Sequence, residues 1–171
     1  MKYRSVKRIV TARQTTLGGH LMYRSLPHTM IAQIDPFLVI DHINSPLKGG
    51  QRQYEAGVGP HPHRGFSPVT FVFKGNIEHR DSLGNQTTIG AGGTQWIHAG
   101  HGILHSERPS KELAMNGGDN ELIQVWINTP ARHKMDKMEA PYYKPLSEQQ
   151  TPKIIGEKSS IAVVGFCTYW S

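Results

Sequence analysis

The sequence predicts an all-β protein, a sandwich or barrel of short antiparallel strands. Three observations lead there. From Val69 onward, β-branched and aromatic runs are separated by turn residues every 8 to 12 residues or so, a spacing typical of sandwich and barrel strands. Helical propensity is low throughout, with at most a turn or two around residues 130–138. The 18 glycines and 11 prolines are enough to serve many corners.

Taken in order, VTFVF (69–73) is β-branched and aromatic, and Lys74-Gly75-Asn76 then turns the chain. IEHRD (77–81) alternates weakly, and Ser82-Leu83-Gly84-Asn85 is a hairpin-like break. QTTI (86–89), TQWIHA (94–99) and ILHSE (103–107) follow, cut by glycine-rich turns at 90–93 and 100–102. ELIQVWINT (121–129) is a further strand, in which Leu122, Gln124, Trp126 and Asn128 alternate with Ile123, Val125 and Ile127. Trp96, Trp126 and Phe73 read as core or pocket wall. After Tyr143, KPLSEQQTPK is polar and proline-punctuated and reads as a linker. IAVVGF (161–166) then offers one more apolar strand. The expected organisation is a barrel over 1–145, followed by a linker and short β segment over 146–171.

Bulk properties narrow the class. A chain of 171 residues suits one domain of ordinary size. With 37% hydrophobic and 19% charged residues it is neither disordered nor membrane-spanning, and no apolar run approaches ~18 residues. The opening residues lack an apolar core long enough for a secretory signal. They are also free of Asp and Glu until Asp35, which leaves a transit peptide open. A lone Cys167 excludes an internal disulfide framework and fits a reducing, cytoplasmic setting. The net charge of +6 would suit an acidic ligand. Yet the basic residues are scattered, apart from Lys2, Arg4, Lys7, Arg8 and Arg13, and no nucleic-acid-binding motif is present. No specific nucleic-acid partner is expected.

The chemistry concentrates in two short stretches. In HPHRGF (61–66), Pro62 biases the preceding residue away from the helical region and suits an edge strand. In an extended segment, residues two apart share a face, so His61 and His63 project together. Downstream, ILHSE places His105 and Glu107 two apart in the same way. Several short antiparallel strands between the pairs can bring them together inside a barrel. Three imidazoles and a carboxylate suit a borderline divalent ion such as Fe(II), Mn(II), Ni(II), Cu(II) or Zn(II).

The combination GPHPHRGF (59–66), FKGNIEHRDSLGN (73–85) and GTQWIHAGHGILHSERP (93–109) resembles the pirin family of the cupin superfamily. DPFLVIDH (35–42) and LIQVWINTPARHKMDKMEAPYY (122–143) extend the resemblance, which covers roughly residues 8 to 155. It implies a cupin double-stranded β-helix, a jelly-roll barrel, with the family's second cupin domain largely absent from this chain. It also implies a bound metal, most often Fe(II), on His61, His63, His105 and Glu107. The activity implied is that of a quercetin 2,3-dioxygenase, cleaving a flavonol-like substrate with dioxygen while Glu107 serves as ligand and proton acceptor. The rival implication is a non-catalytic iron-binding regulatory or redox-sensing protein, a transcriptional co-regulator that works through a protein partner.

This chain departs from the family pattern at Ser67 and Pro68, where many members carry a glutamate, and at His98 and His101, which read as loop histidines. His79 reads as structural, while His20, His28, His42 and His133 have no partner at ligand spacing. Arg64 either steers an anionic substrate or pairs with a carboxylate. Ile161, Val163, Val164 and Phe166 on an unpaired strand lead to the expectation of a homodimer.

Overall fold

A computed structural model describes residues 8–17, 20–31, 33–134, 140–151, 153–155 and 160–162. Strand follows strand: β1 (Arg13–Leu17), β2 (His20–Leu26), β3 (Phe37–Asn44), β4 (Val58–His63), β5 (Phe66–Lys74), β6 (Asn76–Asp81) and β7 (Gln86–Gly90). They continue with β8 (Thr94–His98), β9 (Ile103–Arg108), β10 (Glu121–Asn128), β11 (Tyr142–Leu146), β12 (Lys153–Ile155) and β13 (Ser160–Ala162). One sheet has the order β1-β2-β3-β10-β5-β8-β11 and the other β4-β9-β6-β7, with β12 and β13 forming a separate pair. All the pairings are antiparallel.

The local sequence explains the corners. The turn between β5 and β6 passes through Gly75 at φ 70°, where a Cβ would stand 2.5 Å from the Asp119 carbonyl oxygen. Only glycine fits a left-handed residue at so close an approach. Pro62 and Pro145 lie in β4 and β11, both outermost in their sheets, where a missing N–H breaks no ladder. Between β9 and β10 runs one short helix, α1 (Lys111–Asn116), whose Ser110 Oγ accepts from the Leu113 backbone N–H at 3.1 Å.

The two larger sheets pack face to face. At one end Val72, Ile77, Ile89 and Leu122 form an apolar cluster with Ile43 against it. At the other, Ile97, Ala99 and Ile103 pack with Tyr143. Each cluster draws residues from both sheets, and the polar site lies on the same inner faces.

Every strand expected between residues 69 and 129 is present. Strands β1 to β3 add three that the turn spacing did not announce, and the six-residue α1 also went unannounced. The helical turn expected over 130–138 is a 3-10 turn at Ala131–His133, residues 135–139 lying outside those described. Phe73 is not core: it falls at the register shift between Val72 and Lys74, where β5 pairs with β10, and is 52% exposed. Strand β11 runs through Leu146 and pairs with β8, so Lys144, Pro145 and Leu146 of the expected linker are sheet. Of the apolar segment 161–166, residues 161 and 162 lie in β13 and the rest fall outside the described residues. Among the described residues no helix is long and apolar enough to cross a membrane.

Candidate metal centre

The register of the four-stranded sheet builds the site. Strand β4 pairs with β9 so that His61 lies opposite His105 and His63 opposite Ile103. Strand β6 pairs with the other edge of β9, placing His79 opposite Glu107 and Asp81 opposite His105. Directly opposed residues share a face, and residues two apart on one strand do likewise. His61, His63, His79, Asp81, His105 and Glu107 therefore all project toward the interior. Gly57, at φ 74°, lets the chain leading into β4 press against β9; a Cβ there would come within 2.6 Å of the Glu107 carbonyl oxygen.

His61, His63 and His105 each offer a ring nitrogen within 4.8 Å of the others. The Nε2 atoms of His61 and His63 are 3.1 Å apart. Two nitrogens bound at right angles to one ion at about 2.1 Å would be about 3 Å apart, so this spacing fits a shared ion. His61 Nδ1 donates to the Gly59 carbonyl at 2.8 Å, leaving Nε2 with its lone pair. His105 Nε2 is buried with no hydrogen-bond partner in the protein. A buried ring nitrogen in that position needs an explanation, and a cation supplies one. Burial first, and then the neighbouring imidazoles, push His63 and His105 down to about 3. Both rings are thus neutral at physiological pH, as metal ligation requires.

Glu107 lies on the same face but is held differently. Its Oε1 accepts from Gln95 Nε2, and its Oε2 accepts from Gln124 Nε2 at 2.9 Å. Both glutamines come from the opposite sheet, so these bonds tie the two sheets together across the barrel. Their orientation is fixed from behind. Gln95 Oε1 accepts from the Tyr143 hydroxyl at 3.3 Å, and Gln124 Oε1 accepts from Trp126 Nε1 at 2.9 Å. With each carbonyl so occupied, each amide must turn its NH₂ toward Glu107. Tyr143 is held above its usual value by burial, helped by the charges of Glu107 and Asp81, and remains a donor. The structure therefore gathers the three expected imidazoles into one cluster. It keeps the expected carboxylate on their face in an amide clamp, near enough for its charge to act on His63.

Above the imidazoles opens a cleft of about 650 Å³, lined by His61, Pro62, His63, Phe66, Ile103 and Trp126 among others. Phe66 and Trp126 stack at 4.5 Å with 23° between their planes, and both meet His63 edge-on. The lining is mainly apolar and aromatic, and the volume suits a small organic ligand. Arg64 also lines it. His98 and His101 do not. His98 Nδ1 lies 3.1 Å from Ser67 Oγ, and its ring stacks on Tyr142, while His101 is exposed.

Reading the sequence missed Gln95, Gln124 and Tyr143, and took His79 for scaffold. One signal was available for the glutamines. Each sits at an inward-facing position of a strand beside Trp and Ile residues, where a polar side chain needs a partner.

A two-sheet β-barrel with an imidazole cluster on its inner wall and an aromatic cleft above it defines a cupin with a candidate three-histidine metal site. The Pirin family model matches residues 19–127, and the chain belongs to the pirin family. A pirin-like protein from Caulobacter vibrioides is 37% identical over 153 residues, covering 89% of this chain and 52% of its own length. Mouse pirin is 33% identical over 157 residues, covering 91% of this chain and 49% of its own. A crystal structure of quercetin 2,3-dioxygenase from Acinetobacter baumannii superimposes with a TM-score of 0.75 at 33% identity, covering 86% of this chain and 51% of that one. The chain thus spans about half the length of these relatives.

Proposed function

We propose that this barrel carries the metal centre of a quercetin 2,3-dioxygenase-like enzyme, with His61, His63, His105 and Glu107 holding one divalent transition-metal ion. Fe(II) is the first candidate; Mn(II), Ni(II), Cu(II) and Zn(II) suit the same donor set. The observation that carries the reading is the buried His105 Nε2, partnerless beside two more imidazole nitrogens at the floor of an aromatic cleft. When bound, the ion supplies Lewis acidity toward an enolate oxygen and a centre for dioxygen chemistry.

The chain's own residues do the rest. Phe66 and Trp126 wall the cleft and receive a flat aromatic ring system such as a flavonol. Trp126 is held in place by its bond to Gln124. Glu107 accepts one amide hydrogen on each oxygen and retains lone pairs, so it can also take the proton of the substrate's enolic hydroxyl.

The test is oxygen uptake with quercetin by protein loaded in turn with each of the five metals, alongside elemental analysis of protein purified without added metal. Turnover with a 1:1 metal content supports the enzyme. Tight 1:1 binding with no turnover would instead favour a metal-loaded regulatory module. Failure to bind any of the five would end the metal-centre reading.

A further inference from the structure

IEHRD carries one more pair at strand spacing, His79 and Asp81, which the proposed ligand set does not use. Both face inward from β6. The His79 ring is fully buried and lies flat on Tyr143, with centroids 3.9 Å apart and 7° between the planes. Asp81 has no exposed side-chain surface. Its carboxylate accepts from His79 Nε2 at 2.8 Å, from the backbone N–H groups of Leu83 and Asn85, and from Asn85 Nδ2.

These bonds fix the position of each proton in turn. Asp81 accepts, so His79 Nε2 carries the hydrogen and His79 Nδ1 is left with a lone pair. The atom facing that lone pair is His105 Nδ1, at 3.4 Å. His105 Nδ1 must then donate, which leaves His105 Nε2 bare, and this is the buried atom with no partner in the protein. The other tautomer of His105 would set two lone pairs against each other in the interior and put a hydrogen where a ligand nitrogen is needed.

We infer that His79, anchored by Asp81, is a positioning residue that holds His105 in the tautomer and ring plane that bind the metal. The inference rests on the metal-centre reading above. An outer partner of this kind usually is a carboxylate or a backbone carbonyl. Here an imidazole transmits the carboxylate's constraint across one further ring.

Two variants of nearly equal size isolate the effect. In His79→Asn the side-chain oxygen can accept near the former Nδ1; in His79→Leu nothing can. Both lose the Asp81 bond and the flat contact with Tyr143, so a merely structural role predicts equal behaviour. The measurement is Ni(II) affinity by chelator competition, with the Co(II) visible spectrum as a second readout. His79→Leu is expected to bind about 10–100-fold more weakly than the unsubstituted protein, and His79→Asn to recover most of that loss. Equal weakening in both variants, or undiminished affinity in His79→Leu, overturns the inference while leaving the metal centre intact. If the unsubstituted protein binds no Ni(II), the metal-centre reading falls and takes this inference with it. Long-range ¹H–¹⁵N spectra of the unsubstituted, metal-free protein test the same point without a variant. Hydrogens on His79 Nε2 and His105 Nδ1 support it, and a hydrogen on His105 Nε2 refutes it.

Discussion

Replacing Gln95 with leucine tests whether the amide clamp on Glu107 is a working part of the site. Gln95 is fully buried, and leucine nearly matches its volume, so the substitution leaves little cavity. The principal loss is the hydrogen bond from Gln95 Nε2 to Glu107 Oε1; the weaker contact to Thr70 Oγ1, at 3.4 Å, goes with it. A hydrogen bond to a charged group contributes about 1.5–3 kcal/mol, and leaving a buried acceptor short of a partner is what makes its removal expensive. Tyr143 loses Gln95 Oε1, an acceptor at 3.3 Å, while Gln124 keeps its hold on Oε2, so the damage to the carboxylate stays at one oxygen. The expected loss is about 2 kcal/mol for the metal-free protein, or roughly a 1 M fall in urea midpoint at a slope of about 2 kcal/mol/M. The assay is urea unfolding of Gln95→Leu alone and in a Glu107→Gln background, where the charge is gone. If the bond is to the carboxylate, the cost in that background should shrink by about 1 kcal/mol or more. An equal cost in both backgrounds, or one below about 0.5 kcal/mol, would refute the reasoning.

Other outcomes follow from the same geometry. Crystals soaked in Ni(II) or Fe(II) should show one ion about 2.0–2.3 Å from the ring nitrogens of His61, His63 and His105, and an ion bound elsewhere would count against the site. Glu107→Gln should weaken metal binding by at least the roughly tenfold that loss of a lesser partner causes, or abolish turnover; unchanged metal content together with unchanged activity would exclude a ligand role. His98→Asn and His101→Asn should each keep full metal content, because neither side chain lines the cleft, and metal loss in either would mean a wrong ligand set. Acid should unfold the metal-free protein early. His63 and His105 titrate near 3 in the fold against an ordinary 6.5, so below 6.5 the unfolded chain binds more protons. Stability should therefore be full above about pH 6.5 and fall as pH drops toward 3. A urea midpoint that stays flat between pH 7 and 4 would contradict this.

Much of the site was legible because a strand has a period of two. His61 with His63, and His105 with Glu107, each declare a shared face wherever the chain is extended, and Pro62 announces an edge. The strands from Val69 to Asn128 were legible for a similar reason: β-branched runs and glycine turns are local signals. The first two strands carry weaker ones, whereas FLVI at the head of β3 is as plain an apolar run as those downstream. HLMYRSL in β2 and RQTTL in β1 are mostly polar or half-exposed, so no apolar run or clean alternation marks them. Phe73 shows the opposite failure, an aromatic residue whose type suggests the core but whose place at the register shift of β5 against β10 leaves it exposed.

By itself, then, the sequence determined which segments between Val69 and Asn128 are extended, which side chains share a face within each, and which donor atoms are on offer. Tertiary structure alone decided which faces meet. Placing His105 against His61 on one side and Asp81 on the other depends on the register of β9 between β4 and β6, a non-local choice made by the whole barrel closing at once. The clamp of Gln95 and Gln124 on Glu107 needs two sheets face to face, and His79 becomes His105's partner only when β6 lies beside β9. Spacing along a chain carries the period of one strand. It does not carry the alignment of a strand with its neighbours, which depends on burying both sheets' inner faces while every polar group there finds a partner.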